Sequence, residues 1–235
     1  MAGTAKRFAV VCLGLMTLLC GSSWGQSSTD LQKVISQLNS AAAKFQSAQA
    51  DFSWDQLVAV VQDHDVQTGT IYFERKKGLT EVLADLRQDN GQDAPKKVLF
   101  DGSEAKFYEP AIKQLTRIQA GANRAQWESF LTLGFGGSGS DLQANWKVSL
   151  QGTEPMDGVT VAKLDLVPLQ KNVADMFSHV TIWVDPARGV SYKQVFYQPS
   201  GDLRTATYKN IRYNSPIPAD VFELKLPKDV NVVMR

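Results

Sequence analysis

The second half of this chain alternates between short strand-forming segments and tight turns, and this pattern restricts its fold more than any other feature. Turns at Met156–Gly158, Pro186–Gly189 and Pro199–Asp202 contain the glycine, proline and aspartate that tight turns favour. No helix-length segment separates the strands, so neighbouring strands should pair antiparallel as a meander. The predicted strands are Trp146–Gln151, Thr160–Val167, His179–Asp185, Val190–Gln198, Leu203–Tyr213 and Phe222–Leu226.

The first half of the chain predicts a helix followed by more strands. Apolar side chains recur at helical spacing from Leu31 to Ala48, and Thr29 with Gln32 forms a capping box before them. From Ala50 onward, apolar and polar side chains alternate instead, which is typical of a half-buried strand. Turn residues near positions 64–69 lead into Gly69–Arg75, so this region predicts a long hairpin.

Leu79–Arg87 allows two interpretations. Its apolar side chains fit helical spacing, but turn residues on both sides leave a run of strand length, and we predict a strand. A second hairpin follows, because Asp101–Gly102 suits the positive φ of a tight turn between Val98–Phe100 and Ala105–Tyr108.

A short helix is predicted from Asn123 to Leu133, with Trp127 and Phe130 on one face. Four glycines then occur within the eight residues Gly134–Asp141, which predicts a mobile hinge. Gly134–Gly139 also spells the dinucleotide fingerprint G-x-G-x-x-G. The string follows a helix and precedes a strand, the reverse of the context that binds a pyrophosphate, so we reject a nucleotide site.

The first 25 residues have the organisation of a secretory signal peptide. Lys6 and Arg7 precede a predominantly apolar run of thirteen residues, Phe8–Cys20, which is too short to span a bilayer comfortably. Small residues at positions 23 and 25 predict cleavage before Gln26. Residues 26–235 would then form a single exported domain.

Two alternatives to cleavage stay open. Cys20 could carry a lipid, although Leu19 is bulkier than the Gly, Ala or Ser expected before a lipidated cysteine, and the segment could remain as an anchor. Cys12 and Cys20 are the two cysteines, and both lie in the leader, so the mature domain should fold without disulfides. The chain has 25 basic side chains, two of them in the leader, and 24 acidic ones. This balance gives no electrostatic signature of binding to nucleic acid or anionic lipid surfaces.

Residue types that usually carry catalysis or hold metals are sparse. The two histidines, His64 and His179, have no partners at ligand spacing, so neither a metal site nor a Ser-His-Asp triad is supported. The carboxylates are scattered and single out no catalytic pair. We therefore expect a protein that is not an enzyme and has no cofactor.

One predicted strand places an arginine on its apolar side. Side chains two apart in a strand share a face, so Ile71, Phe73 and Arg75 point the same way. A guanidinium against an apolar surface is costly unless polar groups meet it. Either Arg75 snorkels to water over the Phe73 ring, or it belongs to a surface that takes up and releases an amphiphile.

Several sequence blocks follow one another in a fixed order along the chain. The amphipathic helix leading to Ala50–Phe52 comes first, and Gly69–Arg75 follows. The later blocks are Phe100–Gly102, Phe107–Pro110, Gln114, Val180–Asp185, Gly189, Asn210 and Val221–Pro227 with Val230 and Val232. In their order and spacing over nearly the whole mature chain, these blocks resemble the LolA family of periplasmic lipoprotein carriers.

The resemblance implies an α+β fold, an incomplete barrel of about eleven antiparallel strands with helices lidding an apolar cavity on its concave side. Such carriers are chaperones that shield the acyl chains of lipoproteins between an inner-membrane transporter and an outer-membrane acceptor. By the same resemblance, Arg75 hydrogen-bonds lid backbone in the closed state, although Lys76 stands where the family has proline. We expect a monomer whose cavity is lined or bordered by Phe52, Ile71, Phe73, Phe107, Trp127, Phe130 and Trp183.

Three other functions stay open at this point. The same fold could carry another amphiphile, such as a free lipid or a glycolipid, or it could belong to a regulatory protein that senses mislocalised lipoproteins. An enzyme of unknown type is the third alternative.

Overall fold

The computed structural model of the protein describes residues 24–121 and 131–235. Its helices are α1 (Trp24–Lys44), α2 (Gly139–Asn145) and α3 (Lys171–Ala174). Its strands are β1 (Ser47–Val58), β2 (Asp63–Lys76), β3 (Leu79–Asp89), β4 (Gln92–Phe100), β5 (Glu104–Glu109), β6 (Gln114–Gln119), β7 (Trp146–Met156), β8 (Val159–Pro168), β9 (His179–Asp185), β10 (Val190–Tyr197), β11 (Leu203–Tyr213) and β12 (Asn231–Met234). Among the described residues, no helix is long and apolar enough to cross a membrane.

All twelve strands form one sheet, in the order β12-β6-β5-β4-β3-β2-β1-β11-β10-β9-β8-β7. Strands β1 to β6 are one meander and β7 to β11 another, and the pairing of β1 with β11 joins them. Every neighbouring pair is antiparallel except β12, which runs parallel to β6. Because β7 and β12 stay at opposite edges, the barrel is open, which confirms the predicted fold class with one strand more than expected.

The turn chemistry of the sequence predicted most strands correctly. The segment Leu79–Arg87, for which a helix and a strand competed, is strand β3. The hairpin at Asp101–Gly102 is formed by β4 and β5. In the second half, His179–Asp185 and Leu203–Tyr213 agree with the observed strands residue for residue. Local alternation sufficed here because each of these strands pairs with its neighbour in the chain.

The predicted strand Phe222–Leu226 is wrong. A 3₁₀ turn covers Ala219–Phe222, irregular chain follows, and the last strand is β12 instead. The alternating side chains of Phe222, Leu224 and Leu226 lie over the outer face of β4 to β6, beside Leu99 and Leu115. The alternation of apolar side chains therefore reflects packing of this segment across a sheet face. The segment forms no strand and is bounded by prolines at positions 218 and 227.

Helix α1 begins at Trp24, before Thr29, so Thr29 lies inside the helix and does not cap it. It ends at Lys44, because the Asn214 side chain donates to the Lys44 carbonyl and accepts from the Gln46 amide. Ala48, which was predicted to end the helix, lies in β1. An amide side chain distant in sequence thus sets a boundary that local spacing cannot locate.

The apolar stripe of α1 packs on the concave side of the second meander. Val34 and Leu38 belong to a buried cluster with residues of β8, β9 and β10, namely Leu164, Leu166, Val180, Ile182 and Phe196. Fully burying a leucine or valine side chain stabilises a fold by about 1.5–3 kcal/mol. The helix therefore covers the sheet as the amphipathic pattern predicted.

The glycine-rich segment packs closely against α1. A Cβ atom on Gly136 would lie 2.5 Å from the Phe45 ring, and one on Gly139 would lie 2.5 Å from the Ile35 carbonyl oxygen. Helix α2 was not predicted from the sequence. The Ser138 side chain caps it by accepting a hydrogen bond from the Asp141 amide. These glycines permit close approach in the structure, and the mobility of the segment stays a prediction. The predicted helix Asn123–Leu133 lies mostly outside the described residues.

Candidate functional site

An apolar cavity of about 160 Å³ lies between the concave face of the sheet and residues 131–133. We call α1 together with residues 131–145 the lid, because Gly139 of this segment packs on Ile35 of α1. The sheet supplies most of the lining side chains, and Leu131 and Leu133 of the lid face them. The apolar lining from the sheet comprises Trp54, Ile71, Phe73, Val82, Ala84, Val98, Phe100, Phe196 and Ala206, and Phe177 adds to it.

Strand register explains why these side chains meet. Residues directly opposite one another in paired strands share a face of the sheet. One row across five strands is Ala50, Ile71, Ala84, Val98 and Phe107. The next row is Ala48, Phe73, Val82, Phe100 and Ala105. These two adjacent apolar rows form a continuous wall. The alternation of side chains within one strand could not predict it, because it depends on how the strands are aligned.

The structure brings four of the predicted cavity residues to this face. Ile71 and Phe73 line the cavity directly. Phe52 packs beside the lining residue Trp54, with 4.3 Å between ring centroids. Phe107 stands opposite Val98 at the border of the cavity. Trp127 and Phe130 lie outside the described residues, so their place in the cavity stays a prediction.

Trp183 does not reach the cavity. It lies on the outer face of β9, buried with Val161, Tyr192 and Val195, while its neighbours Ile182 and Val184 face the lid. Its indole N–H donates to Glu154, and the ammonium groups of two lysines lie 5.0 and 4.9 Å from the ring centroid. Alternation divides a strand into two faces but does not say which one is concave, and this is why the prediction for Trp183 is wrong.

Arg75 joins the sheet to the lid. Its two terminal nitrogens donate to the carbonyls of Ala42 at 2.7 Å and Gly136 at 2.8 Å. Ala42 lies in the last turn of α1, where carbonyls lack helical partners and carry partial negative charge. The guanidinium also lies over the Phe45 ring, 5.4 Å from its centroid. Arg75 is half-buried, and its guanidinium bonds to protein carbonyls. In the snorkelling alternative, it would have reached water instead.

A second, more polar cavity of about 350 Å³ adjoins this contact. Arg75, Leu38 and Ile182 are among its lining residues, and Leu133 of the lid lines both cavities. Movement of the segment around Leu133 would therefore connect the two spaces.

A buried polar network crosses the cavity wall, and the sequence analysis missed it. The Gln194 side chain donates to the Leu133 carbonyl, and the Tyr208 hydroxyl donates to the Gln194 side-chain oxygen at 3.2 Å. Burial raises the pKa of Tyr208, a group that also hydrogen-bonds Trp54, so its phenol stays neutral at physiological pH. One signal was present in the sequence, since Gln194 occurs two residues before Phe196 on an otherwise apolar face.

Nothing in the described part of the chain resembles a metal centre, because no group of three or more His, Cys, Asp or Glu side chains comes together there. The groups that line the apolar cavity are suited to binding apolar matter and to positioning the lid.

Comparison with known proteins supports the fold. A structure of an uncharacterized conserved protein from Thermus thermophilus superimposes with a TM-score of 0.56 at 11% identity, covering 88% of this chain and 99% of that one. MucB superimposes with a TM-score of 0.53 at 14% identity, covering 87% of this chain and 66% of that one. At such low identity these likenesses show the fold alone.

A LolA superfamily protein, NE2245 from Nitrosomonas europaea, is also similar, with a TM-score of 0.41 at 13% identity over 82% of this chain and 96% of that one. No curated protein matches the sequence. A family model described as "-like: Uncharacterized protein" matches residues 90–215, more than half of the chain. The chain therefore belongs to this family.

Proposed function

We propose that this protein is a periplasmic chaperone that shields the acyl chains of lipoproteins and carries them from the inner to the outer membrane. It works as a monomer, without a cofactor and without catalysis, between an inner-membrane transporter and an outer-membrane acceptor. The observation that carries this proposal is an apolar cavity whose lid is fastened to the sheet by Arg75.

The energetics of acyl chains make such a carrier necessary. Each methylene moved from water to an apolar site gains about 0.8 kcal/mol, so a diacyl or triacyl anchor does not cross water unassisted at a useful rate. The walls formed by the rows through Ile71 and Phe73 offer the apolar surface that such chains need.

The structure corresponds to a closed state of this carrier. Small-molecule sites usually enclose roughly 300–1,000 Å³. The apolar cavity has about 160 Å³, so acyl chains need a larger space than it provides. Opening of the lid would enlarge it and join it to the cavity of about 350 Å³ on the other side of Leu133.

Arg75 sets the balance between the closed and open states. Its two hydrogen bonds reach carbonyls of the lid, so they exist only while the lid is shut. A hydrogen bond to a charged group contributes about 1.5–3 kcal/mol, a bias of roughly tenfold or more toward the closed, empty carrier. Cargo and Arg75 thus compete, which keeps the cargo transferable.

Binding of a fluorescent fatty-acyl probe, and its displacement by a diacylated lipopeptide, tests the proposal. Ala206 lines the cavity opposite Trp54, so Ala206→Phe should fill the space and weaken probe binding at least tenfold. Thr207→Phe, on the outer face of the same strand, is the matched control and should leave binding unchanged. Native mass spectrometry of the protein from its own periplasm should find bound lipoprotein. A wild-type protein that neither binds the probe nor retains lipid would contradict the carrier function.

A further inference from the structure

The end of the cavity farthest from Arg75 carries a second guanidinium, that of Arg204. Arg204 lies on β11, opposite Gln56 of β1 and Phe196 of β10. It shares its face with Ala206 and Tyr208, and its side chain lines the apolar cavity. The register therefore puts a positive charge at the rim of a mostly apolar space.

Arg204 has free capacity for hydrogen bonds. Its Nε donates to the Gln56 side-chain oxygen at 3.1 Å. Within residues 24–121 and 131–235, no carboxylate forms an ion pair with it, and its two terminal nitrogens have no acceptor. The acidic groups near this end have partners of their own: Asp55 pairs with His64, and Asp202 accepts from the Ala59 amide and the Ser200 hydroxyl.

The two arginines lie far apart along the sheet. Gln56 stands opposite Asp65 on β2, and Arg75 lies ten residues further along that strand. At about 3.3 Å per residue, this separation is roughly 33 Å along the strand. Arg75 has its donors satisfied by the lid, whereas Arg204 has its terminal donors open at the opposite end of the apolar lining.

We propose that Arg204 binds the anionic head group, a carboxylate or a phosphate, of an acyl lipid whose chain lies in the cavity. The planar guanidinium fork matches two oxygens of either group. A diacylglyceryl thioether has no negative charge at its head, so Arg204 extends the cargo to anionic lipids. The inference rests on the proposed carrier function and names a lipid class for the same cavity.

Two probes with the same chain separate the head group from the chain. The first is cis-parinaric acid, whose carboxylate is ionised at pH 8, and the second is its methyl ester. Their affinities are measured by fluorescence titration at low salt for the wild-type protein and for Arg204→Gln, Arg204→Lys and Lys209→Gln. Lys209 lies on the same strand but on the outer face, opposite Asp51, so its variant removes an equal charge away from the cavity.

We expect the wild-type protein to bind the acid only about tenfold more tightly than the ester, because water weakens a charge-assisted contact at an exposed site. In Arg204→Gln, the affinity for the acid should fall to that for the ester, and the affinity for the ester should not change. Arg204→Lys should keep most of the preference, and Lys209→Gln all of it. In about 1 M salt the preference should shrink, because screening acts within ~3 Å.

The contradicting outcomes separate the two proposals. Equal binding of acid and ester by the wild-type protein, or a preference that persists in Arg204→Gln, would overturn the head-group site while the carrier function stands. Failure of both probes to bind would overturn the carrier function and the head-group site together. Displacement of the acid probe by inorganic phosphate at equal concentration would show a site for free anions and contradict the acyl-lipid assignment.

Discussion

At the scale of single residues, Arg75 shows how far sequence reasoning reaches. Its place on the apolar side of a strand followed from alternation, and its contact with lid backbone was implied by the family resemblance. The acceptors on Ala42 and Gly136 lie 33 and 61 positions away, so no local pattern could name them. Gln194 and Arg204 were missed for the same reason, because their cavity role depends on neighbours across β10, β11 and β1.

Replacing Arg75 by leucine should make the carrier hold its cargo more tightly. The change removes the hydrogen bonds that favour the closed lid and adds apolar surface, so acyl-probe affinity should rise about tenfold and release to acceptor vesicles should slow. Arg75→Lys is the control, because an ammonium group keeps the charge but cannot bond both carbonyls in the same way. Its acyl-probe affinity should lie between those of the wild-type protein and Arg75→Leu. Faster release from Arg75→Leu, or weaker binding, would contradict the closing role.

At the scale of secondary-structure elements, the sequence specified strands with local partners and failed where packing is long-range. The hairpins β1–β2 and β4–β5 were predicted because turn residues and alternation agree over a short span. The predicted strand Phe222–Leu226 was wrong, because this segment crosses a sheet face without pairing with a strand. Trp183 was assigned to the wrong face because curvature is a property of the whole sheet.

Close packing of the lid segment on α1 predicts different costs at two glycines. Gly136 has φ +73° and faces the Phe45 ring, whereas Gly78 has φ +80° with no atom within 4 Å of an added Cβ. Gly78→Ala should therefore lower the free energy of unfolding by only about 1 kcal/mol, from backbone strain. Gly136→Ala should cost about 2–4 kcal/mol, because the ring must also move. Urea unfolding of the two variants measures the difference, and equal losses would show that the lid segment does not press on Phe45.

The β5–β6 pair carries an ion network that predicts acid sensitivity. Hydrogen bonds from Arg117 lower the pKa of Glu104, and those from Lys106 add to this while burial opposes it. A lowered pKa in the folded state gives stability that is present above the ordinary value of 4.5 and is lost as the pH falls through the folded value.

Glu104→Gln should thus lower the free energy of unfolding by about 1–2 kcal/mol at pH 7. As the pH falls below about 4.5 the difference should begin to shrink, and the two proteins should converge once the pH is below the lowered pKa of Glu104. Urea unfolding between pH 7 and pH 3 provides the measurement. Glu109→Gln on the same strand is the control, because the Glu109 carboxylate is only half-buried and its one ion pair, with Lys96, is as long as 3.9 Å. A constant difference at every pH would show that the network acts through packing alone.

At the scale of the whole molecule, two meanders joined by β1 and β11 form one curved wall. The lid covers this wall and is held to it at the C-terminal end of α1. The lid contacts both halves: Arg75 of the first meander binds Ala42, and Gly189 beyond β9 lies next to Ala41. In the proposed carrier, the lid would move while the twelve-stranded sheet keeps its register.

A covalent lock across this boundary tests whether lid opening is required for loading. A Cβ on residue 189 would lie 3.4 Å from the Ala41 Cβ, close to the separation of about 3.5–4.5 Å found in disulfides. The double variant Ala41→Cys/Gly189→Cys should therefore form a disulfide that holds α1 against the β9–β10 turn. Both natural cysteines, Cys12 and Cys20, lie in the predicted leader, so a protein that begins at Gln26 has no competing thiol.

Oxidation of this variant should reduce acyl-probe binding at least tenfold, because the closed cavity of about 160 Å³ is smaller than the roughly 300 Å³ that small-ligand sites need. Reduction with dithiothreitol should restore binding in the same sample, which separates locking from misfolding. Each single variant should behave alike in both redox states, and backbone strain at Gly189, with φ +64°, should be common to the oxidised and reduced protein. If the oxidised and reduced protein bound the probe equally, cargo would have to enter without movement of α1, and the closed-to-open scheme built on Arg75 would fall with it.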